Sequence, residues 1–227
     1  MADLVANATS ELNNLLQIIS GTTSLVERAC ESNPEWKEHM TILRSSIDRA
    51  EEVVAKLTKQ AGAPGEKRLI NPEIAGMGKA RTDSSSKKKK PCVLVVDDEQ
   101  VTLGLISRIL TEAGYQVTTA QSGFECLDHF RPRAYEFDLV LLDLTMPFMD
   151  GEETFNRLRE IRPDIPVVMC TGFIQQDRLQ GLLATGLAGF LRKPVAPDEI
   201  VDHIRSILAK VRYSRHRVDP STVPAVV

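Results

Sequence analysis

The chain has 227 residues, of which 42% are apolar and 26% charged, with a formal net charge of -3. This is ordinary globular composition with room for one or two domains, and it gives no whole-molecule field toward nucleic acid or acidic lipid. No apolar run approaches the ~20 residues of a membrane-spanning helix, Met1-Ala2-Asp3 does not open a signal peptide, and Cys30, Cys92, Cys126 and Cys170 lack the spacing of a zinc site or disulfide framework.

These exclusions predict a cytoplasmic protein whose cysteines are, for the most part, buried free thiols. Residues 1–61 read as a helical hairpin. Val5, Ala8, Leu12, Leu15, Ile19, Thr22, Val26 and Ala29 recur at alternating intervals of three and four, and Trp36, Met40, Leu43, Ile47, Ala50, Val54, Leu57 and Ala61 repeat the pattern. Between the runs, Ser32 or Asn33 can cap a second helix, Pro34 suits its first turn, and Ser32 with Glu35 has capping-box spacing. Two such helices cannot enclose a core. The narrow seam predicts a homodimer in which two hairpins form a four-helix bundle; the alternative is packing onto the rest of the same chain.

Residues 62–91, rich in Gly, Pro, Ser and Lys, predict a flexible linker. Lys87–Lys90 have no interleaved aromatic residue for base stacking and read as a solvated spacer.

From Cys92 onward, five short apolar runs (92–96, 116–120, 138–142, 166–170 and 188–191) alternate with five helical patterns, ending at Val211. This predicts a parallel α/β sheet covered on both faces, in which sites form beyond the carboxyl ends of the strands. Asp97 and Asp98 end the first run, Asp143 the third and Thr171 the fourth, and Lys193 follows the fifth. Three carboxylates converging with one ammonium repel each other unless a cation is present. Magnesium suits such a site, because it favours oxygen ligands and phosphate. A carboxylate can attack phosphorus, while a cation, an ammonium and a hydroxyl hold the equatorial oxygens.

With "VVDDEQ", "LLDLTMPFMDG", "CTG" and "FLRKP" in order, residues 92–211 resemble the receiver domain of two-component response regulators. The resemblance implies a flavodoxin-like fold of strand order 2-1-3-4-5, with Asp143 as phosphoacceptor. It implies Mg2+ on Asp97, Asp98, Asp143 and the Thr145 carbonyl. Lys193 and Thr171 would contact the phosphoryl group, Phe190 would be the switch aromatic, and the Lys193–Pro194 bond would be cis. Phe173, two residues beyond Thr171, is expected to shield the acyl phosphate from water.

The stretch "SELNNLLQIISGTTSLVE" resembles the first helix of the dimerisation and phosphotransfer hairpin of histidine kinases, with Ser10 where those have histidine. Serine cannot form a transferable phosphoramidate, and Ser10 lies off the seam. His39 has no equivalent motif and reads as a solvated side chain. No nucleotide-binding loop occurs, so neither ATP binding nor kinase activity is expected.

The combined expectation is a non-enzymatic response regulator. It would take a phosphoryl group from a partner histidine kinase or phosphotransfer protein and signal through protein contacts and dimerisation, without membrane or nucleic-acid partners. The alternatives are a DNA-binding transcriptional regulator, for which the basic tail at 212–227 is too short, and a phosphotransfer relay or phosphate sink.

Overall fold

The computed structural model describes residues 2–30, 34–60, 67–75 and 90–215. Helices α1 (Ala2–Cys30) and α2 (Pro34–Gln60) lie against each other, as the repeating seams predict. Leu16, Ile47 and Val54 are buried, and Arg44 of α2 reaches Ser24 and Glu27 of α1. Most of the seam is not enclosed: Leu12, Leu15 and Ile19 on α1 and Trp36, Leu43 and Leu57 on α2 are exposed, Leu15 by 50%. The capping residues Ser32 and Asn33 lie outside the described residues.

A short strand, β1 (Arg68–Ile70), and a single turn, α3 (Pro72–Ala75), come next. The alternating domain then runs β2 (Cys92–Val96), α4 (Gln100–Glu112), β3 (Gln116–Ala120), α5 (Gly123–Phe130), β4 (Leu139–Asp143), α6 (Gly151–Ile161), β5 (Val167–Thr171), α7 (Gln176–Ala184), β6 (Gly189–Arg192) and α8 (Pro197–Arg215). The first two of its strands match the expected bounds, and the other three lie one residue later. That shift puts Asp143 and Thr171 inside the last positions of β4 and β5.

The sheet order is β1-β6-β5-β4-β2-β3, and β2 to β6 are all parallel. Alternation divides the core. Leu94, Val96, Val140 and Leu142 pack with Phe130, Phe155 and Leu158 of α5 and α6. Val93, Val95, Leu139 and Leu141 pack with Ile106, Leu110, Ile204 and Ile207 of α4 and α8 on the other face. Burial on both faces explains why the strands read as continuous apolar runs.

The linker expectation is corrected at residues 67–75. Three residues are too few for a periodic signal; an open sheet edge makes them a strand. β1 pairs antiparallel with β6, with Leu69 opposite Phe190, and satisfies backbone groups that an edge leaves unpaired. Asn71 fastens the end of the strand by donating through Nδ2 to the carbonyls of Leu183 and Leu187. Residues 62–66 and 76–89 of the linker, Lys87–Lys89 included, and the tail beyond Arg215 lie outside the described residues.

Candidate functional site

Four parallel strands aim their carboxyl ends at one edge of the sheet. Asp97 follows β2, Asp143 closes β4, Thr171 closes β5 and Lys193 follows β6. Lys193 is buried, and its Nζ donates to Asp97 Oδ2 at 2.7 Å and to Asp143 Oδ1 at 2.8 Å. The other oxygen of Asp143 accepts from the Thr145 backbone N–H at 2.7 Å, and Asp97 Oδ1 accepts from the Glu99 N–H at 3.0 Å. Gly151 leaves room for this turn, since a Cβ there would lie 2.7 Å from Leu144 Cα.

Burial pushes the Asp143 carboxyl up and Asp97 pushes it further, while Lys193 pulls it down; the outcome is about 6. Burial opposes the charge on Lys193, but Asp143 and Asp97 outweigh it and hold its pKa above that of an ordinary lysine. Asp98 is exposed, and its pKa is raised by partial burial and by the charge of Asp97. Beneath them, burial pushes the Cys170 thiol up to about 12, which makes it inert packing.

Loops complete the rim. The Thr171 hydroxyl donates to its own loop, to the Phe173 carbonyl at 3.2 Å. Phe173 is half-buried and Phe190 fully buried, and the Lys193–Pro194 bond is cis. In the loop after β4, Phe148 has φ 67° and is 96% exposed. That left-handed conformation costs a side-chain-bearing residue roughly 1–2 kcal/mol.

Among the described residues, no group of three or more His, Cys, Asp and Glu side chains is gathered tightly enough to hold a metal ion. Lys193 instead spans Asp97 and Asp143. The donor chemistry fits a hard divalent cation: carboxylates and backbone oxygens, with no nitrogen or thiolate ligand. Burial first and the neighbouring Asp97 charge second raise the Asp98 carboxyl, and such a cation would offset both.

Residues 93–205 match the family described as the response regulator receiver domain. The chain contains a receiver domain. It is 29% identical over 116 residues to the chemotaxis protein CheY of Halobacterium salinarum, covering 51% of this chain and 95% of that one. It also superposes on a CheY-like receiver domain from Methanospirillum hungatei with TM-score 0.53 and 27% identity, covering 56% of this chain and 99% of the other. A complex of CheX and CheY with BeF3 and Mg2+ from Borrelia burgdorferi gives TM-score 0.50 and 27% identity, covering 52% and 88%. Other curated relatives are longer, and this chain spans 15% to 55% of their lengths.

The receiver strands β3-β2-β4-β5-β6 have the expected flavodoxin-like order, with β1 added at the β6 edge. The structure brings Asp97, Asp143, Lys193 and Thr171 together, with Asp98 and Thr145 on the rim.

Sequence reasoning missed a second set of residues. Ser10 is off the seam, but it is 8% exposed because α1 lies on the receiver. Asn13 Nδ2 donates to the Gly172 carbonyl at 2.8 Å, and Gln17 Nε2 donates to the Val195 carbonyl at 2.9 Å while its Oε1 accepts from the Val195 N–H. Arg28 pairs with Asp198 of α8 at 2.9 Å. Packing on the same chain therefore occurs, through the polar face of α1 and not through the seam. The only signal available in sequence was Asn13 and Gln17 at a helical interval of four.

Proposed function

We propose that this protein is a response regulator that accepts a phosphoryl group from a partner phosphohistidine onto Asp143. The observation that carries this reading is Lys193 held between Asp97 and Asp143 at the carboxyl edge of a parallel sheet. A buried carboxylate needs a reason to stay ionised near neutral pH, and the ammonium supplies it. An oxygen of the Asp143 carboxylate attacks phosphorus as the bond from phosphorus to the imidazole nitrogen breaks, and the displaced imidazole takes a proton. Lys193 is placed to leave the carboxylate pair for the incoming phosphoryl oxygens. Thr171 can turn its hydroxyl from Phe173 toward them.

Asp97, Asp98, Asp143 and the Thr145 carbonyl would hold Mg2+, in keeping with the magnesium in the related CheX–CheY complex. Bound there, the cation would offset the charge of the acids and of the phosphoryl oxygens. Phe173 would limit the approach of water to the acyl phosphate.

The N-terminal hairpin, with serine in place of a transferable histidine, would serve as a dimerisation module and not as a donor. Its exposed Leu12, Leu15, Ile19, Trp36, Leu43 and Leu57 form the face expected to meet a second copy. Donors would be a cognate histidine kinase or phosphotransfer protein.

The test is phosphotransfer profiling of the full chain against the histidine kinases of its source, with Asp143→Ala alongside. Label on the wild type and none on the variant supports the reading. Equal label on both refutes the assignment of Asp143.

A further inference from the structure

The two loops that must respond to a phosphoryl group are the two that α1 holds. One is the Thr171–Phe173 loop. Inside it, Thr171 is occupied by the Phe173 carbonyl; outside, Gly172 accepts the amide of Asn13. The other follows Lys193, where Val195 is gripped at both its N–H and its carbonyl by the amide of Gln17. These contacts are buried, so a loop that moves away leaves backbone groups unpaired. The stripe continues along α1. Gly21 allows close approach by α4, since a Cβ there would lie 2.5 Å from Leu105 Cδ2. Leu25 packs on the α4–α8 side of the core, and Arg28 reaches Asp198.

We propose that α1 is an internal ligand of these two loops, and that its docking and the phosphorylation of Asp143 oppose each other. This rests on Asp143 being the phosphoacceptor. With α1 docked, the Thr171 hydroxyl stays turned to Phe173 and Lys193 stays between the two aspartates. To meet a phosphoryl group, Thr171 must release Phe173 and carry Gly172 with it, which stretches the bond from Asn13. A shift of Lys193 pulls on Val195 two residues later, which strains both bonds to Gln17. Phosphorylation therefore loosens α1, and the loosened hairpin is the output of the switch. The same rim is closed to a protein donor until α1 leaves it.

Coupling of this kind is reciprocal. The probe is beryllium fluoride with Mg2+, an acyl-phosphate mimic, added to the full chain. Amide exchange across residues 8–24 should accelerate on addition, and Asp143→Asn should abolish the response. The double variant N13A/Q17A should bind beryllium fluoride about fivefold or more tightly, read by 19F NMR of the adduct. R28E, which touches neither loop, should tighten binding about twofold, and the charge swap R28E/D198R should restore the wild-type value. An adduct that forms while residues 8–24 exchange as before, or equal affinity in N13A/Q17A, overturns the opposition and leaves the receiver assignment standing. Failure of any adduct to form on both the wild type and N13A/Q17A overturns the assignment of Asp143 and the inference with it.

Discussion

Gly172→Ala separates hairpin docking from receiver folding. The φ of Gly172 lies outside the left-handed region, so an alanine backbone is tolerated there. The added Cβ would lie 2.8 Å from the Ser10 carbonyl oxygen and 2.9 Å from both Ser10 Cα and Asn13 Cβ. Two of these three atoms are helix backbone and cannot swing aside, so α1 must lift by roughly half an ångström or more to restore ordinary contact. Asn13 then loses its 2.8 Å bond to Gly172. One buried hydrogen bond contributes about 1 kcal/mol, and the two at Gln17, if they go as well, bring the loss to about 3 kcal/mol. Docking should weaken between about fivefold and about a hundredfold. Amide exchange of residues 8–24 measures this directly, with the exchange of β2 and β4 as the control for an intact receiver. If α1 in Gly172→Ala exchanges as slowly as in the wild type, the helix is not seated on this loop and the docking argument fails.

A carboxyl raised to about 6 contributes stability that is complete below its ordinary 3.8 and lost as pH rises through 6. In EDTA, Asp143→Asn should therefore be more stable than the wild type at pH 8, by on the order of 1 kcal/mol. The gap should close below pH 6, as followed by urea unfolding; a gap that widens in acid reverses the sign and refutes the burial argument. Phe173→Glu should shorten the half-life of phosphorylated Asp143, measured by loss of label in buffer, and an unchanged half-life removes Phe173 from the shielding role. The double substitution Leu15→Glu and Ile19→Glu, on the exposed seam, should convert a dimer to a monomer in sedimentation without altering the receiver. Leu69→Pro removes an N–H and forces a kink in β1; exchange at Gly189–Leu191 should rise severalfold while β2 and β4 stay protected.

Legibility followed the kind of signal each element carries. Apolar runs with acids at their ends are local, so β2 to β6 and the convergence of Asp97, Asp143, Thr171 and Lys193 could be read directly. β4 and β5 run one residue past the apolar runs, to Asp143 and Thr171, because the apolar character stops before the backbone pairing does. β1 was not legible, because Arg68–Ile70 become a strand only when β6 offers an edge. His203 was missed as well: buried beside Gly189, which keeps its Cβ space free for Nε2, it has its pKa pushed down to about 4 by burial and by Arg68 and Lys210. Nothing local marks an imidazole as core.

The hairpin shows why a correct pattern can still mislead about contacts. Hydrophobic periodicity assigns one face to α1, and that face is real: Leu12, Leu15 and Ile19 line it. The face that meets the receiver carries Ser10, Asn13 and Gln17, all buried and all invisible to a hydropathy search. Short polar side chains suit that role, because the surface they meet is the exposed backbone of two loops, and backbone groups require hydrogen-bond partners. An apolar helix face would leave the Gly172 carbonyl and the Val195 N–H and carbonyl unsatisfied, at a cost of about 1–3 kcal/mol each. It would also grip the loops by area alone, with no bond for a moving loop to break. On the proposed opposition, the polar face would let docking reverse and would fix it to one loop position, while the exposed seam would remain available to a second copy. A helix that served both surfaces with leucine would have neither property.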